Sequence, residues 1–249
     1  MKCRFVIGGI VLLVCSQSHS QLYKPGSVPI APLTSFGGNL RTSFTLSELM
    51  GTRVNFAVVN DPHIKGNPFY TESFSPSIII LKNGVGYSGL ETRMNLATND
   101  IHFKDSDSTE LVAGKGIIRK LVFFQNIKSG FDTISFSSGY PAIEHNDENT
   151  FYEEIASGKI TFLKLTTKVL SSVQSIAASP LDKQYVDLLA YYIYSANSGR
   201  IEKWHKGKDF MVEFWGDKKD VIQKFIEDNN LKCKSTGEIK KLIDYYNSL

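Results

Sequence analysis

At 249 residues, with 42% hydrophobic and 21% charged side chains, the chain has a globular balance and room for one large or two small cored domains. That balance excludes disordered, fibrous and collagen-like classes. The formal charge of +3 is too small for a nucleic-acid-binding face, which needs concentrated Lys and Arg.

The first twenty residues read as a signal peptide. Lys2 and Arg4 form a positive n-region, Phe5 to Cys15 an apolar h-region, and Ser18-His19-Ser20 a small-residue cleavage site before Gln21. The apolar run is short for a bilayer span. Val14 stands before Cys15 where a lipobox wants Gly, Ala or Ser, so the expectation is cleavage to an exported protein, in the periplasm or at the cell surface. No later segment is apolar enough to cross a membrane. Cleavage leaves 26 basic against 25 acidic residues and removes Cys3 and Cys15. Cys233 then stands alone, without a disulfide, and reads as a half-buried, inert thiol.

Residues 21 to 50 read as an extended N-terminal segment. Gln21 to Gly38 is weakly patterned, and Thr45 with Glu48 fits a capping box that predicts one helical turn before Gly51. Residues 51 to 215 read as a β-rich domain, in keeping with 12% aromatic content. Val54 to Val59 is a candidate strand and Asn60 to Pro68 a loop. Ile78 to Lys82 reads as a strand closed by Asn83-Gly84, a dipeptide that predicts a type I′ hairpin turn. Asn99-Asp100 closes the next strand and Ile101-His102-Phe103 opens another. Glu110 to Ala113, Ile117 to Phe124 and Phe131 to Ser137 read as strands, and Ser137 to Asn149 as an exposed loop. Phe151 to Ala156 and Lys159 to Val169 read as a hairpin. Gln184 to Ala196 fits a helix or a strand, with strand preferred for its second half. Arg200 to Trp204 and Asp209 to Trp215 are expected to pair with each other.

Residues 216 to 249 change period and predict a C-terminal helical hairpin. Asp217 is the expected cap of its first helix, with an apolar stripe of Val221, Ile222, Phe225 and Ile226. Ser235 and Glu238 fit a second capping box, followed by Ile239, Leu242, Ile243 and Tyr246 at i, i+3, i+4, i+7. The predicted class is α+β, mainly β: an antiparallel meander or roll-like sheet with that helical hairpin packed on it.

Motifs for chemistry are few. Gly84, Gly86 and Gly89 have the spacing G-x-G-x-x-G, but Asn99-Asp100 follows too soon for the crossover helix of a dinucleotide site. Gly84 reads instead as part of a hairpin turn, and Gly86 and Gly89 as a bulge or a close backbone approach in the outgoing strand. His63, His102, His145 and His205 lack metal-site spacing. The carboxylates of Asp105, Asp107 and Glu110, and of Glu144, Asp147 and Glu148, lie in polar runs without EF-hand spacing and read as solvated loops. There is no G-x-S-x-G elbow, and Gly114-Lys115-Gly116 is too short for a P-loop. The tyrosines from Tyr185 to Tyr194 read as core and edge packing.

Gly66, Pro68, Phe69, Phe74, Lys82-Asn83-Gly84, Arg93-Met94-Asn95 and His102-Phe103 together form a pattern. It resembles that of a group of uncharacterised exported proteins common in Bacteroidota, and the C-terminal pieces follow in the usual order. Met94 departs from the expected Tyr, and the segment before Gly51 is longer. The resemblance implies export and this architecture, with no assigned activity or catalytic residue. The functional expectation is therefore a non-enzymatic binding or envelope-accessory module. It has no catalytic, cofactor or metal residues assigned, and its partner is an unknown envelope protein or ligand. The alternative is an exported hydrolase of glycan or peptide using a carboxylate pair assembled in space, which leaves no local signature.

Overall fold

The computed structural model describes residues 40–41, 46–49, 52–53, 62–127, 130–172, 182–208 and 214–249. The predicted leader, most of the N-terminal segment, the Val54 to Val59 strand and the Asp209 partner of the last hairpin lie outside the described residues. Strand accounts for 46% and helix for 17%, so the class is mainly β, built on one large mixed sheet.

A short helix α1 (Leu46–Leu49) and strands β1 (Thr52–Arg53) and β2 (Ile64–Lys65) come first. Then follow β3 (Ser75–Leu81), β4 (Gly86–Asn95), β5 (Asp100–Lys104), β6 (Glu110–Val112), β7 (Ile118–Ile127) and β8 (Gly130–Ser137). Strands β9 (Tyr152–Ala156), β10 (Ile160–Ser172), β11 (Lys183–Ser195) and β12 (Arg200–Lys203) complete the sheet before α2 (Lys219–Asp228) and α3 (Thr236–Ser248). The spatial order is β1-β6-β5-β4-β3-β7-β8-β9-β10-β11-β12. Two features correct the antiparallel-meander expectation, one in strand direction and one in strand order. Strand β2 runs parallel to β11, and β7 pairs with β3 instead of its chain neighbour β6.

The glycine motif resolves residue by residue. The Leu81 N–H bonds the Val85 carbonyl at 2.8 Å, and the Gly84 N–H returns to the Leu81 carbonyl at 3.0 Å. Lys82, Asn83 and Gly84 thus make a three-residue loop with only Gly84 at positive φ (+84°). The type I′ prediction is corrected. Asn83 spends its side chain on the Val85 N–H at 3.0 Å, which holds it in an Asx turn instead of the left-handed region. Gly89, at φ +80°, is the extra residue of a bulge, since Ser77 faces Leu90 while Ile78 faces Ser88. Gly86 lets the backbone of Arg41 pair alongside: the Arg41 N–H reaches the Gly86 carbonyl at 2.9 Å, and a Cβ at Gly86 would collide with Leu40.

Strand β11 is a strand from its start, correcting the helix-or-strand ambiguity. It pairs with β10 without slip from Ile160↔Ser195 to Ser172↔Lys183. Thirteen ladder pairs outweigh any local helical preference of "VDLLAYY". Alternate residues serve two cores. Ile160, Phe162 and Ile193 pack under the helices with Trp204, Trp215 and Cys233, while Leu163, Leu165 and Tyr192 join Tyr140 and Tyr152 on the opposite face. A third core, including Tyr87, Leu90, Met94, Phe103, Leu121 and Phe136, belongs to the β3–β8 half.

The C-terminal helices follow the sequence period with two corrections. Residues Gly216–Lys218 form a 3₁₀ turn, so Lys218 stands at the N-cap of α2 and Asp217 does not. Val221 is exposed, while Ile222 and Ile226 are buried. Helix α3 carries the predicted capping box, with reciprocal Ser235 and Glu238 bonds. Its Ile239, Leu242 and Ile243 are fully buried, an apolar transfer of about 5–9 kcal/mol before entropy. Cys233 is wholly buried instead of half-buried, and burial pushes its thiol pKa up.

Candidate functional site

Three chain segments and one strand wall a cleft of about 260 Å³. The first wall is the β4–β5 turn, residues 96–100. Asn95 shapes it, its side-chain oxygen accepting from the N–H groups of Ala97 (2.9 Å) and Thr98 (3.3 Å). Asn99 takes the left-handed conformation (φ +60°) that Asn tolerates better than most residues. Its amide then clamps the distant Phe151 backbone, accepting from the N–H at 2.7 Å and donating to the carbonyl at 3.3 Å.

The second wall is the β6–β7 connection, residues 113–118. Gly116 has φ +75°, and a Cβ there would press on the Asn149 side-chain oxygen at 2.8 Å. The third wall is the end of the β8–β9 loop, residues 145–151. Asp147 organises it by accepting from the Asn149 N–H (2.9 Å) and the Thr150 hydroxyl (3.3 Å). Lys82 ties this loop to the glycine turn through Asn149 at 3.0 Å. Leu165 and Thr167 of β10 close the cleft, and the Lys168 N–H donates to the Leu96 carbonyl at 3.1 Å. Strand β10 therefore rests on the β4–β5 turn.

Apolar Leu96, Ile101, Ile118, Phe151 and Leu165 line the cleft beside its polar groups. Thr98, Asp100, Lys115, His145 and Thr167 keep side-chain polar atoms without a hydrogen-bond partner among the described residues. Bonds from the Asn149 backbone hold the Asp147 carboxyl below its ordinary range, with Lys115 contributing. Behind the loop, Asn146 donates to the Tyr192 hydroxyl (3.2 Å), which donates to Glu144 (2.9 Å), which also receives Lys203 (2.9 Å). Burial and then Glu144 push the Tyr192 pKa up to about 12, while Lys203 and Tyr192 hold Glu144 below its usual value. Tyr152, 1% exposed, has a buried hydroxyl with no hydrogen-bond partner among the described residues, and burial raises its pKa.

Comparison of the chain with protein-family models, curated proteins and solved structures finds no match in any of the three.

A second polar cluster lies on the β4–β6 side of the sheet. Glu110 receives two bonds from Arg93 Nη2 at 2.6 and 2.7 Å and one from Nε at 3.1 Å. His102 Nδ1 stands 2.6 Å from Glu110 Oε1. The guanidinium lies 3.6 Å over the Phe69 ring centroid and 4.6 Å from that of Phe74, and Nη1 donates to the Glu72 carbonyl at 3.2 Å. Phe69, Phe74, Arg93 and His102, four positions of the pattern noted in the sequence, thus converge here. The cluster pins residues 69–74 onto the sheet and is nearly closed to solvent.

The solvated-loop reading needs correcting at Glu110, which is 8% exposed and paired. Asp105 is a turn organiser, accepting from the N–H groups of Asp107 (3.0 Å) and Thr109 (2.8 Å). The loop from Ser137 to Asn149 is likewise only partly exposed. Tyr140 is buried and bonds Glu154 at 2.8 Å, and Ile143 bridges Asn146. Of the four histidines, His63 pairs with Asp182 (3.1 Å), His102 joins the buried cluster, and His145 lines the cleft. No group of three or more His, Cys, Asp or Glu among the described residues is placed to hold a metal ion. No helix among the described residues is long and apolar enough to cross a membrane. The sequence reading missed Asn99 and Thr167 as cleft residues. A left-handed Asn at a strand turn is a legible signal for the first; nothing local marks the second.

Proposed function

We propose that the chain is an exported, non-enzymatic binding or envelope-accessory module, and that the cleft between the β4–β5 turn, the β8–β9 loop and β10 is where it binds. One observation carries this reading: the β4–β5 turn and the β8–β9 loop are each held by their own Asx hydrogen bonds, from Asn95 and Asp147, and Asn99 clamps one to the other, leaving side chains at the cleft with unspent polar capacity. A preformed concavity with few oriented polar groups on an apolar lining is the usual form of a small-ligand site. The leader and the resemblance to exported Bacteroidota proteins support the location. In this reading the sheet is roll-like, the Lys168-to-Leu96 bond drawing its two halves together, with a helical hairpin packed on one face.

The hydrolase reading has one observation in its favour: Asp100 and Asp147 line the same cleft. A general acid must keep its proton near neutral pH, which calls for a raised pKa. Asp147 moves the other way, which suits a base or nucleophile and would leave Asp100 as the acid. With only these two carboxylates among the described lining residues and no raised one shown, we favour binding without turnover. The test is to recover the chain from fractionated cells, sequence its N-terminus, and incubate it with labelled glycan and peptide pools. An N-terminus at Gln21 and no product formation support the proposal. A retained leader, or product formation abolished by Asp100→Asn or Asp147→Asn, contradicts it.

A further inference from the structure

Resting on that binding reading, we propose that the cleft takes a neutral, polyhydroxylated ring: one pyranose unit of a glycan. Three observations choose this class over other small polar ligands.

The first is the kind of polar group presented. Thr98 and Thr167 each offer a hydroxyl that donates and accepts, and Asp100 offers an unspent carboxylate. A sugar hydroxyl also donates and accepts, so it pairs with such a set and leaves none of it unmatched. The carboxylate takes hydroxyl protons with charge assistance.

The second is how little the cleft offers an anion. Its lining holds no arginine among the described residues, so they offer no fork to grip carboxylate or phosphate in two places. Lys115 is its one lysine, and that ammonium sits within the field of the ionised Asp147. A phosphate or an α-carboxylate would meet two aspartates, Asp100 and Asp147, for each lysine.

The third is size and floor. About 260 Å³ is below the range typical of drug-sized sites and suits a single ring. Ile101, Ile118 and Leu165 supply the apolar part of the lining, against which the C–H face of a pyranose would rest.

The experiment is NMR titration of the purified chain with methyl α-glucoside, N-acetylglucosamine and cellobiose, each to about 50 mM, with glutamate and inorganic phosphate as comparators. The expected result is saturable shifts at cleft amides, including Thr98, Lys115 and Asn146, from at least one sugar. Thr167→Val and Asp100→Asn should each weaken binding about tenfold, as loss of one hydrogen-bonding group does. Neither side chain makes a hydrogen bond among the described residues, so the variants should fold as the parent does. Leu188→Ser, on the exposed β10–β11 ribbon, should bind unchanged. The ligand class is overturned if no sugar moves the cleft amides, or if glutamate or phosphate binds there and the sugars do not. In those cases the binding-module reading still stands on its own test. Cleavage of cellobiose would do the reverse, supporting the ligand class and defeating the non-enzymatic reading.

Discussion

Replacing Arg93 with Met should destabilise the fold by about 3 kcal/mol or more, because it strips a buried carboxylate of its main partner. The side chains of Arg93, Glu110 and His102 are 13%, 8% and 6% exposed, so solvent screens this cluster little. In Arg93→Met the apolar stem survives and three guanidinium bonds to Glu110 vanish, leaving the carboxylate with His102. Breaking a buried pair from one side costs about 3–5 kcal/mol, and loss of the cation stacked on Phe69 and Phe74 adds about 0.5–2 kcal/mol. Removing both charges, as Arg93→Met with Glu110→Leu, also removes the cost of burying them. The double variant still loses the cation over the two rings and leaves His102 Nδ1 without Glu110, so it should lie about 2–4 kcal/mol below the parent, well short of the sum of the singles. Urea unfolding with unchanged m-values reads all four corners of the cycle. An Arg93→Met effect below about 1 kcal/mol, or a double variant as unstable as the sum of the singles, would refute the coupling.

Tyr152→Phe should leave stability unchanged or raise it by up to about 1 kcal/mol in thermal unfolding, because the deleted hydroxyl is buried without a partner. Tyr192→Phe, which breaks the bond to Glu144, should lower it. Gly89→Ala should cost about 1–2 kcal/mol, since a Cβ at φ +80° is strained. Gly86→Ala should cost less, because it meets only the tip of Leu40. Glu238 in the capping box is held at about 2 by bonds from the Lys232, Lys234 and Ser235 backbones. A depressed carboxyl stabilises above its ordinary value of 4.5 and loses that contribution as pH falls towards about 2. The Tm gap between the parent and Glu238→Gln should be full at pH 6 and close over that window; a gap independent of pH would contradict the capping role.

The legible part of the fold was local chemistry. The Ser235–Glu238 box, the α3 stripe and the Gly89 bulge each depend on residues a few positions apart, and each formed as read. The Asn83-Gly84 turn was right in place and wrong in type, because the Asn83 side chain took the Val85 N–H. Strand β11 was ambiguous because the residues that decide it are its ladder partners on β10, which no local pattern in β11 reveals. Long-range pairing also hid the site. Asn99 reaches Phe151 across 52 residues, and Arg93 reaches Glu110 across 17. No spacing rule joins such residues; the β7-beside-β3 crossover, the Asn99 clamp on Phe151 and the bond from β10 to the β4–β5 turn bring the cleft walls together.

The most direct test of the cleft as the working surface is capture from envelope extract, run in parallel with the native chain and the Asp100→Asn/Thr167→Val double variant. The account predicts that the native chain retains a glycan-bearing component, released by the sugar that binds in the titration, and that the variant does not. Equal retention by both chains would contradict it.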